Sequence, residues 1–145
     1  MKAIKNISAG LAGAVALNIL HETAKRFYSK APRVDLIGEE ALSKSLNALG
    51  ISSPSRKNLF GLTLAGDLIS NSMYYSMVPV GKSKNLIFRG AAYGLAAGIG
   101  ALTLTKPMGL DDDHVNKTVQ TKVLTVAWYL VGGLVAAFVA QKIGE

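Results

Sequence analysis

Four long apolar stretches, separated by shorter polar segments, dominate the pattern of hydrophobic and polar positions along this chain. They cover about residues 4–27, 58–78, 86–105 and 118–140. A helix needs roughly 20 mostly apolar residues to cross a bilayer, and none of the stretches sustains the period-two alternation of a strand. The pattern therefore predicts an all-α integral membrane protein, with four transmembrane helices in a single domain of residues 1–145.

A shorter segment between the first and second spans, about residues 34–49, has a different pattern. Apolar residues recur there at helical spacing, whereas Asp35, Glu40 and Lys44 fall on the opposite face. The segment is too short and too charged to span a bilayer, and Gly50 marks its end. We therefore predict one amphipathic helix, which lies on the membrane surface or caps the bundle.

The composition agrees with a membrane protein. Only 17% of the residues are charged and the mean hydropathy is +0.30, whereas soluble domains carry about 25% charged residues. The formal net charge of +7 raises the question of nucleic acid. However, the Lys and Arg residues lie almost wholly at the ends of apolar stretches, as they do beside membrane spans. We therefore expect no nucleic-acid partner.

Loop charges predict an orientation. Ten Lys and Arg residues lie in the first and third loops or at their edges: Lys25, Arg26, Lys30, Arg33, Lys44, Arg56, Lys57, Lys106, Lys117 and Lys122. The positive-inside rule then places these two loops in the cytoplasm and both termini outside. The N-terminal stretch lacks a small-residue cleavage site, so we interpret it as a retained first helix. We expect the host bilayer to be the bacterial inner (plasma) membrane.

Small residues recur on one face of the third and fourth spans. Gly90, Gly94 and Gly98 form two overlapping GxxxG units, and Gly132 and Gly133 begin a similar row. Helices in lipid associate by close approach of small residues and by interhelical hydrogen bonds. We therefore expect glycine-mediated packing within one chain or between copies, with a homo-oligomer or a partner membrane subunit.

One carboxylate, Asp67, lies in the middle of the second apolar stretch. A charge at this depth costs about 2.5–3.5 kcal/mol on insertion scales, so such residues usually have a role. A rise of 1.5 Å per residue places it level with Asn18 of the first span and with Trp128 and Tyr129 of the fourth. Gly98 would form the floor of the resulting groove. The sequence thus predicts a polar pocket that opens towards the first and third loops.

We expect this pocket to bind or pass a small polar species: an ion, a proton or a membrane lipid headgroup. In this hypothesis Asp67 is the central acceptor, two asparagines orient it, and charged and hydroxyl groups line the mouth. The residues assigned to the pocket are Asp67, Asn18, Asn71, Glu22, Lys122, Tyr74 and Tyr129.

Other interpretations stay open at this stage. Asp67 is equally compatible with a structural carboxylate in a subunit of a larger membrane complex. A membrane-embedded enzyme acting on a lipid headgroup would use His21, Glu22, Asp111 and His114. However, the chain contains no GxSxG, HExxH or P-loop motif, and we assign no catalytic residue.

We expect no cofactor and no metal site. The absence of cysteine excludes thiolate ligands, disulfides and a cysteine nucleophile. Asp111, Asp112 and Asp113 offer hard oxygen ligands, but acidic residues at the start of a helix are also what capping favours.

Overall fold

The computed structural model describes residues 1–81 and 84–144. Within these ranges the chain forms six α-helices and no strand, so the predicted all-α class is confirmed. The helices are α1 (Lys2–Phe27), α2 (Val34–Ala48), α3 (Arg56–Tyr75), α4 (Leu86–Leu104), α5 (Asp113–Asn116) and α6 (Val119–Gly144). Among the described residues, α1, α4 and α6 are the helices long and apolar enough to cross a membrane.

The second predicted span, α3, differs from the other three long helices. It has 20 residues, enough for about 30 Å of helix, but it is not among the candidate spans. Polar and charged residues reduce its hydropathy: Arg56, Lys57, Asn58, Asp67, Ser70, Asn71 and Ser72. It begins at Arg56 after Ser55, two residues before the predicted start of this span at about residue 58.

The long helices pack in the order α4, α6, α1, α3. Helix α6 thus lies between α4 and α1, and α1 separates α6 from most of α3. Helix α2 covers α3 and also contacts the short α5. Helix α3 meets α6 only at a few residues. A space remains between α1, α2 and α3.

Helices α4 and α6 approach each other at their glycines. Gly90, Gly94 and Gly98 are the buried residues of α4. A Cβ atom at Gly90 would collide with the carbonyl oxygen of Gly133, and one at Gly98 would lie 2.7 Å from the Cα atom of Val126. Side chains larger than hydrogen at these positions would therefore force the two backbones apart.

Helix α1 makes equally close contacts on both sides. A Cβ atom at Gly10 would collide with the carbonyl oxygen of Ser72 on α3. One at Gly13 would lie 2.5 Å from the carbonyl oxygen of Gly132 and 2.9 Å from Cβ of Ala136 on α6. The first helix is therefore held between α3 and α6 by backbone-to-backbone contact.

The interior between these helices is small and contains aromatic residues. Its buried members are Leu17, Tyr75, Val78, Tyr129, Ala136 and Ala137. Many large apolar side chains instead point outward, including Ile4, Ile7, Leu11, Ile19, Ile69, Met73, Phe88, Ile99 and Phe138. This distribution is compatible with a membrane protein, in which lipid tails solvate the outer surface.

The first and third loops are joined at one end of the helices. The amide of Arg33 donates to the carbonyl oxygen of His114 at 2.9 Å, and the Thr121 hydroxyl donates to the carbonyl oxygen of Lys30 at 3.0 Å. On α2, the Glu40 carboxylate accepts a 2.9 Å bond from the amide of Asp111. Helix α2 is therefore anchored to the third loop as well as to α3.

Glycine ends α2 where the sequence pattern placed an end. Gly50 has φ +74°, its amide donates to Asn47, and the amide of Ile51 donates to Leu46. These two bonds form a Schellman motif, which requires a left-handed residue at the position of Gly50. The chain can therefore turn away from α2 towards α3 within a few residues.

Candidate functional site

A cavity of about 340 Å³ lies between α1, α2 and α3, and Tyr129 of α6 contributes to its wall. Most of its lining is apolar. The lining residues are Leu17, Asn18, His21, Glu22, Val34, Asp35, Ile37, Gly38, Leu42, Phe60, Leu62, Thr63, Leu64, Gly66, Asp67, Ser70 and Tyr129. Its volume falls at the lower end of the range of about 300–1,000 Å³ that is typical of small-molecule sites.

Asp67 lies on this cavity and is held by two asparagines. The Asn71 amide group, one turn further along α3, donates to Oδ1 of Asp67 at 2.9 Å. The side chain of Asn18 reaches the same carboxyl group from α1 and also donates to the carbonyl oxygen of Ala14 at 3.0 Å. Within residues 1–81 and 84–144, no Lys, Arg or His forms an ion pair with Asp67.

Two polar side chains on the cavity wall lack hydrogen-bond partners within the described part of the chain. Both ring nitrogens of His21 and Oγ1 of Thr63 are enclosed and unpaired. The His21 ring packs edge-on against Tyr129, with 5.8 Å between the ring centroids. Buried polar groups without a partner are uncommon, because each costs about 1–3 kcal/mol.

A chain of ion pairs borders the cavity on its loop side. Nζ of Lys25 contacts the Glu22 carboxylate at 2.7 Å and the Asp35 carboxylate at 3.2 Å, and it lies 4.7 Å from the ring centroid of Phe60. Arg33 then forms a bidentate contact with Asp35, at 2.9 and 2.7 Å. Glu22 is thus paired with a cation three residues further along its own helix.

These contacts alter the acidity of Asp35. Burial opposes its ionisation, but the hydrogen bond and charge of Arg33, together with Lys25, outweigh burial and lower the pKa of the Asp35 carboxyl group. Asp35 therefore remains an anion bound to two cations at neutral pH. Its charge is already neutralised by these ion pairs, whereas Asp67 forms no ion pair within the described ranges.

The structure brings together most of the predicted pocket residues. Asp67, Asn18, Glu22 and Tyr129 line the cavity, and Asn71 holds Asp67 in place. Asn71 itself is not part of the wall.

Two predicted pocket residues lie elsewhere. Lys122 is exposed and does not line the cavity. The Tyr74 hydroxyl instead donates to the carbonyl oxygen of Tyr93 on α4 at 2.9 Å. Tyr74 therefore faces α4, and Lys122 lies on the exposed surface of α6.

Rotation about the helix axis also separates Trp128 from Tyr129. Adjacent helical residues point about 100° apart, so Tyr129 faces the cavity while Trp128 lines a separate apolar groove with Ala24, Tyr28 and Val123. Gly98 packs against Val126 of α6 and is not the floor of the cavity, contrary to the expectation from depth alone.

Sequence reasoning missed much of the wall. Asp35, Phe60 and Thr63 were not assigned to the pocket, and His21 entered only as an enzyme alternative. Thr63 shares the helical face of Asp67 at a spacing of four residues, which was an available signal. Val34, Ile37 and Leu42 line the cavity only because α2 lies over α3, and no local pattern predicts that packing.

Of the four residues of the enzyme alternative, only His21 and Glu22 line this cavity. Asp111 and His114 are absent from its wall and contact each other at 3.7 Å. The carboxylates of Asp111, Asp112 and Asp113 lie within 4.8 Å of one another. Oδ1 of Asp111 accepts a 3.0 Å hydrogen bond from the amide of Asp113, which is an Asx turn directly before α5.

Comparison of the chain with protein-family models, with curated proteins and with solved structures finds no match.

Proposed function

We propose that this protein crosses the membrane four times and binds or passes a small polar species in the cavity around Asp67. The occupant is an ion, a proton or a lipid headgroup. One observation carries the proposal. The Asp67 carboxyl group lies on the wall of a cavity of about 340 Å³ and is held there by Asn18 and Asn71. It has no ion-pair partner within the described ranges.

The proposal that α3 is the fourth span is supported by the distribution of its side chains. Its polar residues Asp67 and Asn71 interact with each other, beside the cavity that α1 and α2 close. On its outer face Ile69 and Met73 are 61% and 68% exposed. Polar residues within a bilayer usually face the bundle interior or a cavity, and α3 follows this arrangement.

In the same proposal α2 is an amphipathic helix at the cytoplasmic interface. It contributes Val34, Ile37 and Leu42 to the cavity wall, and the bond from Asp111 to Glu40 joins it to the third loop. The first and third loops, with α2, would lie in the cytoplasm. The glycine contacts of α4 with α6 would hold the bundle together, and a second copy or a partner subunit would cover part of its exposed apolar surface.

Native mass spectrometry of the detergent-released full chain tests the binding role. The wild type is compared with Asp67→Asn, which keeps the shape of the side chain and removes the charge. Asp112→Asn, a carboxylate away from the cavity, is the matched control. We expect a bound species on the wild type and the control that the Asp67→Asn variant loses, with an unchanged copy number.

The opposite result would identify Asp67 as a packing residue. If no variant carries a bound species and Asp67→Asn changes only the copy number, the binding role is wrong. The chain would then act as a structural subunit. Retention of the same bound species by Asp67→Asn would also contradict the proposal.

A further inference from the structure

The cavity wall indicates that its occupant has an apolar part. Seven of the lining residues carry large apolar side chains: Leu17, Val34, Ile37, Leu42, Phe60, Leu62 and Leu64. Inorganic cations such as Ca²⁺ and Mg²⁺ take about six to eight oxygen ligands, which walls of this kind do not offer. Apolar walls with a few placed polar groups are instead typical of sites for organic molecules.

The charges around the cavity indicate that the occupant is positive. Three carboxylates line it: Glu22, Asp35 and Asp67. Lys25 and Arg33 neutralise the first two, at distances of 2.7–3.2 Å. Asp67 has only the neutral amide groups of Asn18 and Asn71. A buried carboxylate without a counter-charge is strongly unfavourable, and it is relieved either by a proton or by a bound cation. A cation is therefore the occupant that stabilises the charged form of Asp67.

The unpaired polar atoms indicate what kind of cation fits. Three residues on the same wall each offer a hydrogen-bond acceptor: Asp67, His21 and Thr63. The acceptor atoms of His21 and Thr63 have no hydrogen-bond partner in the described ranges. A primary ammonium group has three N–H donors and no acceptor. A quaternary ammonium has the same charge but no donor, and would leave His21 and Thr63 unpaired.

Building on the function proposed above, we propose that the cavity binds a primary ammonium ion carried on an apolar body, with the ammonium at Asp67, His21 and Thr63. The same chemistry occurs in a free organic amine and in an ethanolamine headgroup beside its acyl chains. Both sources present three N–H donors and a positive charge, and in the lipid a phosphodiester and glycerol link the ammonium to the acyl chains.

Isothermal titration calorimetry on the full chain in phosphatidylglycerol nanodiscs tests the chemical class. The probes are cyclohexylammonium, its neutral analogue cyclohexanol and its quaternary analogue cyclohexyltrimethylammonium. Empty nanodiscs correct for partitioning into lipid. We expect the wild type to bind cyclohexylammonium at least tenfold more tightly than either analogue, because only this probe has both charge and donors.

Two variants connect the affinity to the wall. Asp67→Asn should weaken cyclohexylammonium binding at least tenfold, and Thr63→Val, which removes only the hydroxyl, should weaken it several-fold. Asp112→Asn should bind like the wild type. Circular dichroism of each variant establishes that its helices are formed, so that a loss of binding is not a loss of fold.

The source of the ammonium is distinguished by native mass spectrometry from vesicles that contain equal phosphatidylethanolamine and phosphatidylglycerol. Retention of phosphatidylethanolamine by the wild type, and its loss in Asp67→Asn, would identify the headgroup as the occupant. Binding of cyclohexylammonium without a retained lipid would identify a free amine. Either result supports the proposed ligand class.

The ligand class is overturned if the neutral or quaternary probe binds as well as cyclohexylammonium. It is also overturned if neither ammonium source binds in an Asp67-dependent way. If Asp67 then controls the binding of another species, such as Na⁺ or phosphatidylglycerol, the function proposed above survives without the amine. If no species binds in an Asp67-dependent way, both proposals fall together.

Discussion

The hydroxyl group of Tyr75 on α3 donates a 2.7 Å hydrogen bond to the backbone carbonyl oxygen of Tyr129 on α6. The ring reaches α6 because Gly132 has no side chain: a Cβ atom there would lie 2.8 Å from the hydroxyl oxygen of Tyr75 and 3.0 Å from its ring. Tyr75 is completely buried. One glycine thus permits a direct hydrogen bond between two helices that otherwise lie on opposite sides of α1.

Removal of the Tyr75 hydroxyl should weaken this contact. We expect Tyr75→Phe to lower the free energy of unfolding by about 0.5–1.5 kcal/mol, the usual net contribution of one hydrogen bond. SDS titration of the solubilised protein, followed by circular dichroism, measures the change. Tyr28→Phe is the control, because Tyr28 is 41% exposed. Equal stability of the two variants would contradict the importance of this bond.

Substitution of the glycines between α4 and α6 should separate these helices. We expect Gly90→Ala to lower the free energy of unfolding by about 1–3 kcal/mol, as overpacking does, because its Cβ atom would collide with the backbone of Gly133. The control is Gly100→Ala on the same helix, where the Cβ atom would meet only Leu104 at 3.7 Å. If both substitutions prove neutral in SDS titration, the close approach of α4 and α6 is not required for stability.

The ion pairs of Asp35 should make stability depend on pH in the acid range. Its folded-state pKa is lowered from an unfolded value near 3.9. Its stabilisation is therefore fully present above that unfolded value and is lost as the pH falls through the folded pKa. We expect Asp35→Asn to destabilise the protein by roughly 1–3 kcal/mol at pH 6.

The difference between wild type and Asp35→Asn should disappear in strong acid, since both side chains are then uncharged. Thermal unfolding of the two proteins between pH 2 and pH 7 measures it. Asp113→Asn, at an exposed carboxylate outside these ion pairs, provides the baseline. A difference that is constant across this pH range would contradict the assigned role of the Asp35 charge.

The proposed fourth span can be tested with single cysteines, because the chain has none of its own. Ser52 and Lys84 are exposed residues on either side of α3. If α3 crosses the bilayer, a membrane-impermeant maleimide should label Lys84→Cys in intact cells and Ser52→Cys only after permeabilisation.

Lys106→Cys in the third loop should behave like Ser52→Cys, and Lys5→Cys near the N-terminus like Lys84→Cys. Labelling of Ser52→Cys and Lys84→Cys from the same side would instead leave α1, α4 and α6 as the spans. It would place α3 on the membrane surface and refute the four-span topology.

The sequence by itself determined the all-α class, the approximate limits of the long helices and the presence of a carboxylate within an apolar stretch. These properties depend on transfer free energy and periodicity, which are summed over neighbouring residues and need no knowledge of packing. The pairing of Asp67 with Asn18 was accessible for the same reason, since 1.5 Å per residue fixes depth along a helix.

Only the tertiary structure decided which faces meet. Trp128 and Tyr129 are adjacent in α6, so their positions along the helix axis differ by only one residue. Their side chains point about 100° apart around that axis, and only Tyr129 lines the cavity. Helix α2 lies over α3 and closes the cavity that His21 and Thr63 line. Its position depends on contacts between distant residues, such as the hydrogen bond from the Asp111 amide to Glu40, 71 residues apart. Helix rotation and the docking of distant segments follow from the packing of the whole chain, and a local sequence pattern carries no information about either.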